Sequence, residues 1–181
     1  MQTVTRIISV GCTMVVSALT LAGCGADTNS TPSSLLVTNP TARTADIYLV
    51  AGYNRNNLWD NFNGYANGNL SVSVPLGYKV ALHITNDGGV PYDVGVYTTD
   101  QRLAFPGAGT SLQGYVQNPS AGIMPGSSAT YSFVANQVGD YRLADLLYQF
   151  PAHQEARLPI GMWGEFHVTA AGSPHVTTTT E

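Results

Sequence analysis

Seven stretches of this chain alternate apolar and polar residues with a period of two. In NLSVSVP (69–75), Leu70, Val72 and Val74 alternate with small polar residues. In YKVALHITN (78–86), Val80, Leu82 and Ile84 alternate with Lys79, Ala81, His83 and Thr85. ADIYLVAG (45–52), YDVGVYT (92–98), ATYSFVA (129–135), DYRLAD (140–145) and MWGEFHVT (162–169) continue the series. This is the period of a strand, whose successive side chains point to opposite faces. The dipeptides Asn63-Gly64 and Asn67-Gly68 are tight-turn signals between them. Short alternating strands punctuated by turns predict an all-β fold, an antiparallel sandwich or barrel. No amphipathic helix of ordinary length is predicted. The longer irregular stretches are 99–128 and 146–161. Loops at one end of a sandwich are where a site is expected.

Composition agrees with this. Charged residues are only 10% of the chain, with 19 Gly, 10 Pro and 10 Tyr, a balance that favours strands and turns over helices. No basic cluster occurs, so nucleic acid is excluded as an expected partner. The two cysteines, Cys12 and Cys24, both lie near the N-terminus. They allow neither a disulfide within the domain nor a CxxC metal or redox motif.

The first thirty residues change the picture of location. Arg6 precedes an apolar run from Ile7 to Leu21, too short for a comfortable membrane span and shaped like the apolar core of a secretory signal. The run ends in Leu21-Ala22-Gly23-Cys24, which matches the lipobox of bacterial lipoproteins residue by residue. That resemblance implies cleavage before Cys24 and a diacylglycerol thioether on its sulfur. The expected product is exported and lipid-anchored to the outer face of the cytoplasmic membrane. Loss of Arg6 takes the formal charge from −4 to −5. Cys12 would leave with the leader and Cys24 would be alkylated, so the mature chain would hold no free thiol. The expected organisation is a signal peptide (1–23), a lipidated Cys24 with a polar tether (24–44) reaching about 25 Å as a coil, one folded domain (45–170) and a polar tail (171–181).

Further motifs carry a family resemblance. IMPGSSATYSFVANQVGDYRLAD has the Pro-Gly turn, alternating strand, Gly turn and Tyr-bearing strand that lead to the copper cysteine in cupredoxins. NFNGYANGNLSVSVPLGYKVALHITND, followed by VPYD and later by Gly161-Met162-Trp163, is similar to sulfocyanin, a blue-copper protein, and its bacterial relatives. The resemblance spans residues 45–170 and implies a single cupredoxin-like β-sandwich of Greek-key, antiparallel or mixed topology. It also implies where four copper ligands would fall. A type 1 site uses two imidazoles, a thiolate and a weak axial thioether. The aligned residues here are Tyr92, Asp145, His153 and Met162, in place of His, Cys, His and Met. His153 lies eight residues beyond Asp145, and Met162 nine beyond His153, both longer than the family's compact loop. A carboxylate cannot supply the thiolate bond that defines the centre, and a phenol of ordinary pKa is a poor ligand.

Each position has two readings. Asp145 either helps His153 hold a harder ion or hydrogen-bonds Tyr92 across the old pocket. His153 either binds metal weakly or is exposed in a proline-flanked loop. Met162 is either a residual axial ligand or core packing at the start of the last strand. His83 and His167 fall on the face opposite their strands' apolar residues and are expected to face solvent; His175 is placed in the tail. Tyr53, Trp59, Phe62 and Tyr65 offer an aromatic contact surface, or Trp59 and Phe62 cap the sandwich. The 99–128 segment, with Phe105, Tyr115 and Met124, offers a docking face. No Ser-His-Asp or paired-carboxylate constellation stands out, so no enzyme is expected. The expected role is binding or scaffolding at the membrane surface beside respiratory-chain or copper proteins, with no cofactor. Thiolate-free copper handling through His153, Met162 and Asp145 is the alternative, and sulfocyanin-type electron transfer the third.

Overall fold

The computed structural model describes residues 34–110, 122–147 and 161–179. In chain order the strands are β1 (Leu36–Asn39), β2 (Thr44–Ala51), β3 (Leu70–Pro75), β4 (Lys79–Asn86), β5 (Val94–Tyr97), β6 (Ser128–Val134), β7 (Gly139–Asp145), β8 (Trp163–Thr169) and β9 (His175–Thr178). All seven stretches with period-two alternation are strands. The one helical element among the described residues is a 3₁₀ turn, Asn56–Trp59.

Two sheets stack face to face, ordered β1-β2-β4-β6 and β5-β7-β8-β3-β9. β2 runs parallel to β4, and β3 parallel to β8; the other pairs are antiparallel. The sandwich is therefore mixed. The parallel neighbours are distant in sequence, as they must be, since a hairpin joins only antiparallel strands.

The alternation determines the core. Leu70, Val72 and Val74 of β3 point inward with Val80, Leu82 and Ile84 of β4, Ile47 and Leu49 of β2, and Phe166 and Val168 of β8. Burial of each such side chain stabilises by about 1.5–3 kcal/mol. The opposite faces carry Lys79, His83 and Thr85 on β4 and Glu165 and His167 on β8.

Two boundaries differ from the sequence reading. β1 lies within the expected tether and β9, with His175, within the expected tail. β1 pairs with β2, and β9 with β3, so both are edge strands. Each is mostly exposed. These two strands are short and bury little, so they show no apolar alternation, and LVTN and HVTT read as polar linker.

At the opposite edge, β5 is covered. The Val96 N–H donates to the Ala108 carbonyl at 3.0 Å, and the Ala104 N–H to the Val96 carbonyl at 2.9 Å. The 99–110 segment thus satisfies an edge that would otherwise be open. It also buries Phe105, which stacks on Phe133 and meets Tyr141 edge-on. Phe105 is a core residue and no part of a docking face.

Candidate functional site

The ends of β5, β7 and β8 meet at one end of the sandwich. Tyr92 directly precedes Asp93 and β5, and exchanges both backbone hydrogen bonds with Ile123. Asp145 closes β7 and lies opposite Val94 in register. Met162 directly precedes β8, and its carbonyl accepts the Asp145 N–H at 3.2 Å. The Leu146 N–H donates to the Asp93 carbonyl at 3.1 Å. Asp145 and Met162 are therefore joined by a backbone hydrogen bond, and Asp93, next to Tyr92, is bonded to Leu146, next to Asp145. His153 and Cys24 lie outside the described residues, as does Tyr115.

Tyr92 is fully buried, and its hydroxyl donates to the Trp59 carbonyl at 3.0 Å. Its phenolic proton is donated to that carbonyl. The Asp145 carboxylate is held by amides. Its Oδ1 accepts the Asp93 N–H at 2.7 Å and the Leu147 N–H at 2.9 Å. Both donors belong to the backbone, so this cradle exists whatever side chain stands at 145, and it suits an anion. Met162 packs in the main core. Trp163 is half-buried under the Arg142 guanidinium, 4.5 Å from its ring centre, and a Cβ on Gly68 would lie 2.5 Å from the indole.

One acid here escaped the sequence reading. Asp93 is buried, and its Oδ1 has no hydrogen-bond partner among the described residues. Burial pushes its carboxyl up to about 6, against the lowering effect of the Thr110 hydroxyl. Burial also pushes Asp145 up to about 7. The Leu147 and Asp93 amides oppose this, while the charges of Asp93 and Asp60 add to it. The neighbouring Tyr97 phenol is pushed up by burial, then by Asp93, Asp145 and Tyr131. Two buried acids this close hold protons at mildly acidic pH and do not both ionise freely. Alternation puts Asp93 opposite Tyr92, Val94 and Val96, on the side that reads as solvent-facing. A second small cluster of Tyr97, Ala144 and Leu146 covers that side instead. An apolar-sided loop following an acid in a strand was the available signal.

Other expected residues separate. His83 lies on the outer face between Asp46, at 3.0 Å, and Thr130, stacked on Tyr48. His167 pairs with Asp140 at 2.6 Å. Phe62 is in the core, and Trp59 is 42% exposed. Tyr53 and Met124 are exposed, and Tyr65 is half-buried. Among the described residues, no three His, Cys, Asp or Glu side chains form a group that could hold a metal ion. Beside Tyr92 lies a cavity of about 580 Å³, walled by Leu58, Trp59, Asp60, Val90 and the Asp87–Gly89 turn.

This end-of-sandwich arrangement, with strand termini presenting side chains between two mixed sheets, is that of a cupredoxin. The Sulfocyanin (SoxE) domain model matches residues 31–177. The chain belongs to that family. Similar solved structures include a blue copper oxidase from Nitrosomonas europaea, 24% identical over 60% of this chain and 31% of that one, with a TM-score of 0.44. A multicopper oxidase from Campylobacter jejuni is 16% identical over 75% of this chain and 28% of that one, with a TM-score of 0.48. A heme-copper terminal oxidase dimer is 13% identical over 78% and 76%, with a TM-score of 0.44. The chain thus spans about a third of the length of the first two oxidases. No curated protein matches it in sequence.

Proposed function

We propose that this sulfocyanin-family chain is an exported protein, lipid-anchored through Cys24 to the outer face of the cytoplasmic membrane, whose type 1 copper site is degenerate. Its role is binding or scaffolding beside respiratory-chain or copper proteins. It is not an enzyme, and nucleic acid is not a partner.

The observation that carries the reading is the state of Tyr92 and Asp145. A type 1 centre needs a thiolate and two imidazoles. At the thiolate position stands a carboxylate already held by two amides, and at the first imidazole position a phenol bonded to the Trp59 carbonyl. These two side chains do not fit the copper set. The anchor rests on the lipobox Leu21-Ala22-Gly23-Cys24 and the apolar run before it.

A second reading keeps copper in a thiolate-free site made by Asp145, Met162 and His153. The backbone contact that brings Met162 beside Asp145 favours it. Equilibrium dialysis of the full-length chain against Cu(II) and then Cu(I) separates the two. The first reading predicts no stoichiometric copper. The second predicts one copper per chain, lost in His153→Ala. Membrane fractionation tests the anchor: Cys24→Ser is expected to move the protein out of the membrane fraction, and an unchanged distribution refutes anchoring by lipid.

A further inference from the structure

The cavity beside Tyr92 shares only Tyr92 with the aligned copper positions. Its walls are apolar: Leu58, Trp59, Val90 and the buried Tyr92. Among the described residues, its charged groups are Asp60 and Asp87, and no Lys, Arg or His lines it. We propose that it binds a small organic cation, an ammonium group carried on an apolar or aromatic body.

Four observations converge. At about 580 Å³ the cavity lies within the usual range for small-molecule sites. Asp60 is half-buried, and burial alone raises its carboxyl above the usual range, with no compensating cation among the described residues. A desolvated carboxylate of this kind is relieved by an incoming positive charge. Trp59 lines the same cavity next to Asp60 in sequence, and indole is the best aromatic partner for a cation. Finally, the wall is held in an unfavourable conformation. Asn57, Leu58 and Trp59 have φ of 48°, 57° and 76°, three successive non-glycine residues in the left-handed region. Strain of this kind persists only where the surroundings enforce it, and it clusters at ligand sites.

The surroundings do enforce it. Asn61 is fully buried, and its Nδ2 donates to the carbonyls of Asn54, at 2.9 Å, and Asn56, at 2.7 Å. Its Oδ1 accepts the Gly64 N–H at 2.9 Å. From the other side the Tyr92 hydroxyl holds the Trp59 carbonyl. The chain is pinned so that Leu58, 83% exposed, and Trp59 stand out at the rim, where apolar side chains gain nothing from the fold itself. The charge pattern selects the sign of the ligand. Asp60 also acts electrostatically on Asp145, so the described groups around the cavity are negative and disfavour an anion.

The test uses the full-length chain in nonionic detergent with three probes of one shape: phenethylammonium, 2-phenylethanol and phenylacetate. Calorimetry and tryptophan fluorescence read binding. We expect saturable one-to-one binding of phenethylammonium, at least tenfold tighter than 2-phenylethanol, and no binding of phenylacetate. Asp60→Asn is expected to weaken the cation at least tenfold while leaving 2-phenylethanol unchanged. Should that variant fail to fold, Trp59→Leu at the exposed rim is read instead, with a similar loss. Equal binding of all three probes would mean a merely greasy cleft and overturns the proposal. So does unchanged cation affinity in the variant read, or the absence of saturable binding.

Discussion

The Oδ1 of Asp145, at the end of β7, accepts the backbone N–H of Asp93, beside β5, at 2.7 Å. The same oxygen takes the Leu147 N–H at 2.9 Å. One side chain thereby ties the edge strand to its neighbour and satisfies two buried donors. Asp145→Ala removes the acceptor and leaves both donors buried. Each such group costs about 1–3 kcal/mol, so a loss of about 2–6 kcal/mol is expected in urea denaturation. Asp145→Asn keeps a carbonyl oxygen in the cradle and is expected to lose less than half as much. Equal losses in the two variants would show that the cradle contributes little.

Stability should fall as pH rises through the mildly acidic range. Asp145 is pushed up to about 7 and Asp93 to about 6, from an ordinary value of 3.8. The folded state therefore holds protons that the unfolded chain has released. This contribution is complete below pH 3.8 and is lost as pH rises through the folded values. The urea midpoint is expected to be higher at about pH 4.5 than at about pH 7.5. The slope should flatten in Asp145→Asn. A midpoint that rises over this range in the unaltered chain contradicts the assignment.

Gly52 and Gly126 share a left-handed φ, +71° and +74°, but differ in surroundings. A Cβ on Gly52 would lie 2.6 Å from the Gly88 Cα and 3.1 Å from the Tyr92 ring, whereas one on Gly126 meets nothing within 4 Å. Gly126→Ala should cost about 1 kcal/mol from the backbone alone. Gly52→Ala should cost about 1–3 kcal/mol more, because a rigid backbone atom must move. Thermal melts of the two variants measure the difference, and equal costs would show that the packing around Tyr92 is loose.

Exchanging the two aligned side chains should not rebuild a blue centre. In Tyr92→His with Asp145→Cys, a thiol gains the two-amide cradle and an imidazole replaces the phenol. The stretch between Asp145 and Met162 still places His153 eight residues on, longer than the family's compact loop. The expected copper-loaded spectrum lacks an intense thiolate-to-copper band. Such a band would show that the loop places His153 correctly.

The strands were legible because burial on one face leaves a period-two signature, plain in Leu70, Val72 and Val74. β1 and β9 were not, because LVTN and HVTT are only four residues long and bury almost nothing. At the site, Tyr92, Asp145 and Met162 were found by resemblance, and the backbones of Asp145 and Met162 do meet. Asp93 was missed because its burial comes from a loop folded across the far side of β5. The backbone at Trp59 was not legible because nothing in NRNNLWDNFNG announces three left-handed residues. Their conformation depends on Asn61 and Tyr92, contacts made across the fold.

The central claim is that the sulfocyanin fold persists here without its copper chemistry. The most direct test is the visible and paramagnetic-resonance spectrum of the full-length chain after exposure to Cu(II) and removal of excess metal. The account predicts no intense visible band and no narrow copper hyperfine splitting. An intense band with one copper retained per chain would contradict it, and would place a thiolate at a site where the sequence supplies a carboxylate.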